Sequence, residues 1–178
     1  MKDYQKNLEY IIDSLNIFER KIHIYNKLGL YNLSTLSENI IRDLFNIIFE
    51  KENYNFENAN LFIPNVDSID LKDDTNKIAI QVTTNNSYAK VKHTVDLFVD
   101  KNYYLNYDKL LIVIIDKKTG NWNNYPHNGY EFNIKNVLYL EDIIKLIKDL
   151  PPDKIATVRY YLEQEYEKIK LNKKANKL

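Results

Sequence analysis

The sequence predicts an α/β protein with one mixed central sheet flanked by helices. Segments at the start and in the middle of the chain carry apolar residues at helical spacing, which is typical of amphipathic helices. Short apolar runs bounded by turn residues lie between these segments and indicate strands. The run 109–115 is almost entirely apolar, as expected of a strand buried on both faces of a sheet. Helices packed around such a strand give a layered α/β architecture.

Two helices are predicted before the first strand. Apolar side chains recur at helical spacing over residues 3–27, and Gly29 follows as a helix stop. Ser34 or Thr35 is expected to cap the second helix, with Glu38 placed to complete a capping box. Because this second helix is strongly apolar on one side, we expect it to be central.

A β-hairpin is predicted over roughly residues 66–72 and 77–83. Its two apolar arms bracket a polar, acidic turn at 72–76. A further short strand is predicted just before the hairpin, at 58–64, where Pro64 ends it. The sheet is therefore expected to begin with three consecutive strands.

Helices and strands are predicted to alternate through the rest of the chain. Asn85 to Ser87 are expected to cap a helix that runs to about residue 101. The crossover to strand 109–115 favours a parallel, right-handed connection. The sequence then predicts a polar, aromatic loop at 120–130, a short strand at 137–140 and a helix at 141–149. A last helix is predicted at 151–172, with Pro152 in its first turn.

The predicted hairpin carries a polar side chain on each arm, Asp70 on the first and Gln81 on the second. An acid and a second oxygen-bearing side chain on adjoining strands can hold a hard divalent cation such as Mg²⁺. This pairing raises the hypothesis of a metal-dependent nuclease. Two plainer interpretations stay open, in which Asp70 is a solvated carboxylate at the hairpin edge and Gln81 is a buried amide bonded to backbone.

Composition excludes several classes of function. The 25 basic and 25 acidic residues give a net charge of zero, which is not the balance of a tight, nonspecific nucleic-acid binder. Without cysteine there is no disulfide, thiolate zinc site or cysteine nucleophile. No apolar run approaches a membrane span, and a cytoplasmic protein is expected. The three histidines, at positions 23, 93 and 127, lack paired spacing, which argues against a histidine metal site.

The order of elements from Glu38 to Ile115 is similar to the αβββαβ core of the restriction-endonuclease-like, or PD-(D/E)xK, superfamily. More narrowly, the segments LGLYNLSTLSENIIRDLFNIIF and IAIQVTTNNSYAKVKHTVDLF resemble the SMEK domain of bacterial proteins, over about residues 5–120. The resemblance implies a single domain over residues 1–178. Its core would cover about 34–116, with helical extensions at 3–28 and 151–172.

The superfamily resemblance implies a metal site. In that superfamily an acid on the second strand and an acid or glutamine on the third hold Mg²⁺ or Mn²⁺. Asp70 and Gln81 match these two positions, and Glu38 matches an acid that the first core helix often adds. These three residues are the metal ligands that the resemblance implies.

The chain departs from the superfamily pattern at the water-activating lysine, because Thr83 stands two residues after Gln81. Some members supply the lysine from the following helix, where Lys90 and Lys92 stand here. Lys90 and Lys92 are therefore the catalytic candidates beside the metal ligands. Thr83, Thr84 and Lys92 are the candidates for binding a substrate phosphate.

Two functions of different class follow from these observations. The first is a divalent-metal-dependent nuclease acting on DNA, in bacterial defence. The second is a catalytically inactive module of the same fold that binds nucleic acid or a protein partner. Because the chain ends soon after its domain, a small partner subunit is expected, and the long first and last helices are candidates for a homodimer interface. A purely structural protein would leave the polar strand residues unexplained.

Overall fold

In the part of the chain that the structure describes, five α-helices surround a five-stranded sheet, and two further strands form a small separate sheet. The computed structural model describes residues 2–29, 33–59, 68–118, 124–127 and 130–175. The helices are α1 (Lys2–Lys27), α2 (Leu33–Ile48), α3 (Tyr88–Asp100), α4 (Leu140–Lys148) and α5 (Pro152–Ala175). The strands are β1 (Glu57–Asn58), β2 (Leu71–Asp73), β3 (Ile78–Thr83), β4 (Lys109–Ile114), β5 (Tyr125–His127), β6 (Tyr130–Phe132) and β7 (Val137–Tyr139).

The main sheet is mixed, as predicted, and its strand order is β1-β2-β3-β4-β7. β1, β2 and β3 pair antiparallel, whereas β3, β4 and β7 run parallel to one another. β3 and β4 are in register, with Gln81 beside Ile112 and Thr83 beside Ile114. The carboxyl ends of the parallel strands therefore meet at one edge of the sheet, which is where open α/β sheets usually bind ligands.

Two apolar cores cover the two faces of this sheet. One joins α1, α2, α4 and α5 to the sheet face that carries Ile80 and Val113, and Phe45 of α2 lies fully buried within it. The other joins α3 and the small β5–β6 sheet to the opposite face, where Ile112 lies. The alternation of side chains along β3 and β4 directs neighbouring residues into different cores. No helix among the described residues is both long enough and apolar enough to cross a membrane.

Most predicted helices and strands are confirmed with ends that differ by one or two residues, but the first hairpin arm, predicted at 66–72, is a strand only at Leu71–Asp73, and residues 66–67 lie outside the described residues. Gly29 follows α1 with a φ of 68°, the left-handed conformation that suits a glycine after a helix. Ser87 caps α3 by accepting a hydrogen bond from the backbone N of Lys90 at 3.2 Å. Pro152 opens α5, as expected of proline in a first helical turn.

Two local predictions are wrong, and a third falls largely outside the described residues. α2 begins at Leu33, so Ser34 and Thr35 lie inside the helix and not at its N-cap. The segment predicted as a loop contains the β5–β6 hairpin, because Phe132 supplies a fully buried anchor to the second core. The strand predicted at 58–64 is described only as β1, and residues 60–67 lie outside the described residues.

The hairpin turn is also tighter than predicted, because Lys72 and Asp73 belong to β2. Asp73 is buried, and its carboxylate accepts hydrogen bonds from the backbone N of Asn55 at 2.8 Å and of Asn76 at 2.9 Å. The Nδ2 of Asn76 donates to it as well, at 2.8 Å. Asp73 therefore ties the hairpin turn to the segment before β1 and is not one of the solvated acids of the turn.

We expect Asp73→Asn to lower the free energy of unfolding by about 2 kcal/mol, because the three hydrogen bonds that Asp73 accepts lose their charged acceptor. Although burial opposes it, the bonds from Asn76 and Asn55 hold the pKa of Asp73 below its ordinary 3.8. Its contribution is thus present above pH 3.8 and is lost as the pH falls further. Urea unfolding at pH 7 and pH 3 measures this. Asp74→Asn is the control, since that side chain is 62% exposed, and equal losses in both variants would contradict the assignment.

Candidate functional site

Asp70 and Gln81 face each other across adjoining chain segments, as the hairpin predicts. Asp70 directly precedes β2, and its backbone N donates to Ile80 O in β3 at 2.8 Å. The Nε2 of Gln81 donates a short hydrogen bond to Asp70 Oδ2 and a second one to Val82 O at 3.1 Å. The backbone N of Val82 also donates to Asp70 Oδ2, at 2.7 Å. The acid and the amide thus form one connected unit near the carboxyl end of β3.

The environment of Asp70 favours its neutral form. The pKa of Asp70 is raised from 3.8 to about 7, mainly by burial and also by the nearby carboxylate of Glu38. The hydrogen bond from Val82, the ammonium group of Lys90 and the amide of Gln81 lower it, but by less than burial raises it. A carboxyl group that titrates near neutral pH is a frequent property of functional sites.

Charged groups from two different helices act on Asp70. Glu38 lies in the second turn of α2 and Lys90 in the first turn of α3, and both are near enough to change the pKa of Asp70. Burial also raises the pKa of Glu38 above its ordinary value of 4.5. The structure therefore brings together the strand acid, the strand amide, the helix acid and one of the two candidate lysines.

A cavity of about 400 Å³ lies beside this cluster, at the carboxyl end of β3. Glu38 lines it, and so do Thr83 and Thr84, the two threonines predicted to bind phosphate. Thr84 Oγ1 accepts a hydrogen bond from Asn26 Nδ2 of α1 at 3.0 Å, which fixes its position at the rim. The remaining lining residues are Ile22, Asn26, Ser37, Val82 and Ile115. This cavity has the mixed apolar and polar lining of a ligand site.

Lys92 has different surroundings from Lys90. Its side chain is 45% exposed, and its Nζ pairs with Asp96 Oδ2 at 2.8 Å, one turn further along α3. This is an ordinary helix-surface ion pair at the i, i+4 spacing. Between the two lysines, Lys90 is the one whose charge acts on Asp70.

Sequence reasoning missed two residues of the cavity. Asn26 stands near the end of α1, and Ser37 is a buried polar residue of α2. Neither belongs to a motif, and both reach the site only because α1 and α2 pack over the same sheet face. The only signal in the sequence is that Ser37 directly precedes Glu38. Whether it reaches the cavity depends on how α2 is oriented against the sheet.

Fold and site together define an α/β protein with a buried acid–amide pair and a polar cavity at the carboxyl edge of its sheet. A family model described as the SMEK domain matches residues 10–148, which is more than three quarters of the chain. The chain therefore belongs to the SMEK domain family. The matched range contains every residue of the candidate site and ends before α5. No significant match is found among curated proteins or solved structures.

Proposed function

We propose that this chain is a divalent-metal-dependent nuclease that acts on DNA, with a restriction-endonuclease-like core. Asp70, Gln81 and Glu38 would hold the cation, Mg²⁺ or Mn²⁺, and Lys90 would act on the substrate phosphate. A role in bacterial defence and a cytoplasmic location are part of this proposal. The observation that carries it is the pairing of Asp70 with Gln81, with Glu38 and Lys90 acting on the same carboxyl group.

The residues present fit a hard divalent cation. Two carboxyl groups, of Asp70 and Glu38, lie close enough to interact, and burial raises the pKa of each. Two neighbouring carboxylates in such surroundings are costly without a compensating positive charge, and Lys90 supplies only one. A divalent cation bound to these oxygens supplies Lewis-acid polarisation of a phosphodiester.

The other residues have roles that the protein alone can perform. The Lys90 ammonium group would neutralise charge that develops on the phosphate. The hydroxyl groups of Thr83 and Thr84, which line the adjoining cavity, would donate hydrogen bonds to phosphate oxygens. Gln81 holds the Asp70 carboxyl group in one orientation through its Nε2.

Cleavage assays test this function. Plasmid, linear and single-stranded DNA would be incubated with the protein and Mg²⁺ or Mn²⁺. We expect Asp70→Asn to lower the cleavage rate by at least about 100-fold, because the variant removes the central charge while preserving the size of the side chain. Lys90→Ala should lower it too, whereas Lys92→Ala should have little effect because Lys92 pairs with Asp96.

Asp74→Asn is the matched control, since it removes an exposed acid from the same hairpin. Cleavage that is unchanged in Asp70→Asn would come from a contaminant or from another site, and it would rule out this proposal. The same holds if no DNA form is cut with either cation.

A second candidate function is an inactive module of the same fold, which binds nucleic acid or a protein partner. Thr83 favours it, because a lysine is expected there in active members of the superfamily. The predicted homodimer belongs to this candidate as well. The apolar faces of α1 and α5 pack within one chain, so the interface would use the exposed side of α1, with Ile17, Ile24 and Leu28. Binding of DNA without cleavage would support this candidate.

A further inference from the structure

A second cluster of metal-ligating side chains lies at the carboxyl edge of the sheet, separate from Asp70. Glu19 and His23 stand four residues apart on α1, which places them on one face of the helix. Asp116 follows β4 by two residues. One ligand atom from each of the three residues lies within 4.8 Å of the other two. The cluster therefore joins α1 to the segment after β4, which are far apart in the sequence.

The Nε2 atom of His23 is the buried, unsatisfied atom of this cluster. Its Nε2 approaches Asp116 Oδ1 to 3.3 Å but without the geometry of a hydrogen bond. The atom is shielded from solvent and has no hydrogen-bond partner among the described residues. A shielded imidazole nitrogen beside a carboxylate is a favourable position for a cation, because in the neutral Nδ1–H tautomer it offers a lone pair that no protein donor uses.

Asp116 is already oriented by its neighbours. Asn86 Nδ2 donates to its Oδ2 at 2.6 Å, and the backbone N of Lys117 donates to its Oδ1 at 2.7 Å. Each carboxylate oxygen can accept more than one bond, so both retain the capacity to bind a cation. Hydrogen bonds of this kind hold the ligands of metal sites in place.

We propose that Glu19, His23 and Asp116 bind a first-row transition-metal cation, with Zn²⁺ or Mn²⁺ as the representative ions. One imidazole with two carboxylates is a nitrogen–oxygen set that suits these ions, whereas Mg²⁺ and Ca²⁺ prefer oxygen alone. Ligand atoms that share one such ion stand about 3 to 4 Å apart, so small side-chain rotations close the cluster.

The site has room for further ligands. A cavity of about 300 Å³ is lined by Glu19, Asp116 and Glu141, the last of these in the first turn of α4. Two of the three proposed ligands, Glu19 and Asp116, thus border an open cavity, an arrangement nearer to catalytic metal sites than to closed structural ones. Lys117 and Lys118 also line the cavity, and their charges favour an anionic ligand at the open positions.

Calorimetry on the full chain, stripped of metal with a chelator, tests this proposal. Titration with Zn²⁺ is expected to show one equivalent bound at this site, and titration with Co²⁺ should give a visible absorption band. An excess of Mg²⁺ should not displace Zn²⁺. His23→Asn should weaken Zn²⁺ binding by at least about 100-fold, and Glu19→Gln should weaken it as well. Glu19→Gln also covers the case in which His23→Asn does not fold.

His93→Asn is the matched control, because it removes an exposed histidine from another helix. It should bind Zn²⁺ as the wild type does. Asp70→Asn should also bind normally, which separates this site from the proposed nuclease centre. If the wild type binds no Zn²⁺, or if His23→Asn binds as tightly as His93→Asn, then His23 and Asp116 form only an ion pair and the proposal is wrong.

Discussion

Replacing Asp70 by asparagine is expected to raise the free energy of unfolding by about 3 kcal/mol at pH 8. The pKa of Asp70 rises from 3.8 to about 7 in the folded protein. At 1.36 kcal/mol for each pKa unit, this corresponds to about 4 kcal/mol, and residual contact with water reduces it. Asparagine removes the buried charge and can still accept the hydrogen bond from Val82 through its side-chain oxygen.

The pH dependence has a definite sign. Because the folded state raises the pKa of Asp70, the folded protein holds this proton more tightly than the unfolded chain does. The resulting stabilisation is fully present below pH 3.8 and is lost as the pH rises toward about 7. The advantage of the asparagine variant should therefore be large at pH 8 and should disappear near pH 4.

Urea unfolding of both proteins across this pH range measures the effect. Glu38→Gln is an informative companion, since burial raises the pKa of Glu38 in the same direction. If Asp70→Asn has the same stability as the wild type at pH 8, the carboxylate is better solvated than its burial implies. Stabilisation together with loss of cleavage would mean that Asp70 is kept for function at the expense of stability.

The second large effect is expected for Phe45→Ala, which should lower the free energy of unfolding by about 4 kcal/mol. Phe45 is fully buried, and its ring packs edge-on against Phe49 at 5.5 Å and Phe56 at 5.9 Å between centroids. Truncation removes the apolar surface and leaves a cavity that these rings fill only in part. Phe45 stands two turns after Glu38 on α2, so the same variant should also loosen one wall of the candidate site.

Tyr160→Ala is the control for this experiment, because Tyr160 is 64% exposed and should change stability by no more than about 0.5 kcal/mol. Thermal and urea unfolding of the two variants beside the wild type give the comparison. A loss at Phe45 as small as that at Tyr160 would mean that α2 is not packed in the core as described.

The parts of the fold that depend on local sequence were predictable. Helical periodicity located α1, Pro152 marked the start of α5, and the spacing of Asp70 and Gln81 across a short turn was enough to predict that they face each other. The burial of Asp73 was not predictable, because it depends on the backbone of Asn55, which is distant in sequence. Short strands such as β5 and β6 give too few alternating residues to be recognised.

The sites assembled from distant segments were harder still to predict. Glu38 was predicted to belong to the site through family resemblance, and its position beside Asp70 depends on the packing of α2. The sequence argued against a histidine metal site because the histidines lack paired spacing. His23 nevertheless meets Asp116, since α1 passes over the carboxyl end of β4. Only the three-dimensional arrangement brings such a pair together.

The two outermost strands of the main sheet are very short. β1 has two residues and β7 has three, so each outer border exposes few unpaired backbone groups among the described residues. A long, flat edge strand can pair with a strand of another polypeptide, which is a common first step of amyloid-like aggregation. Among the described residues, the short outer strands offer little of that template.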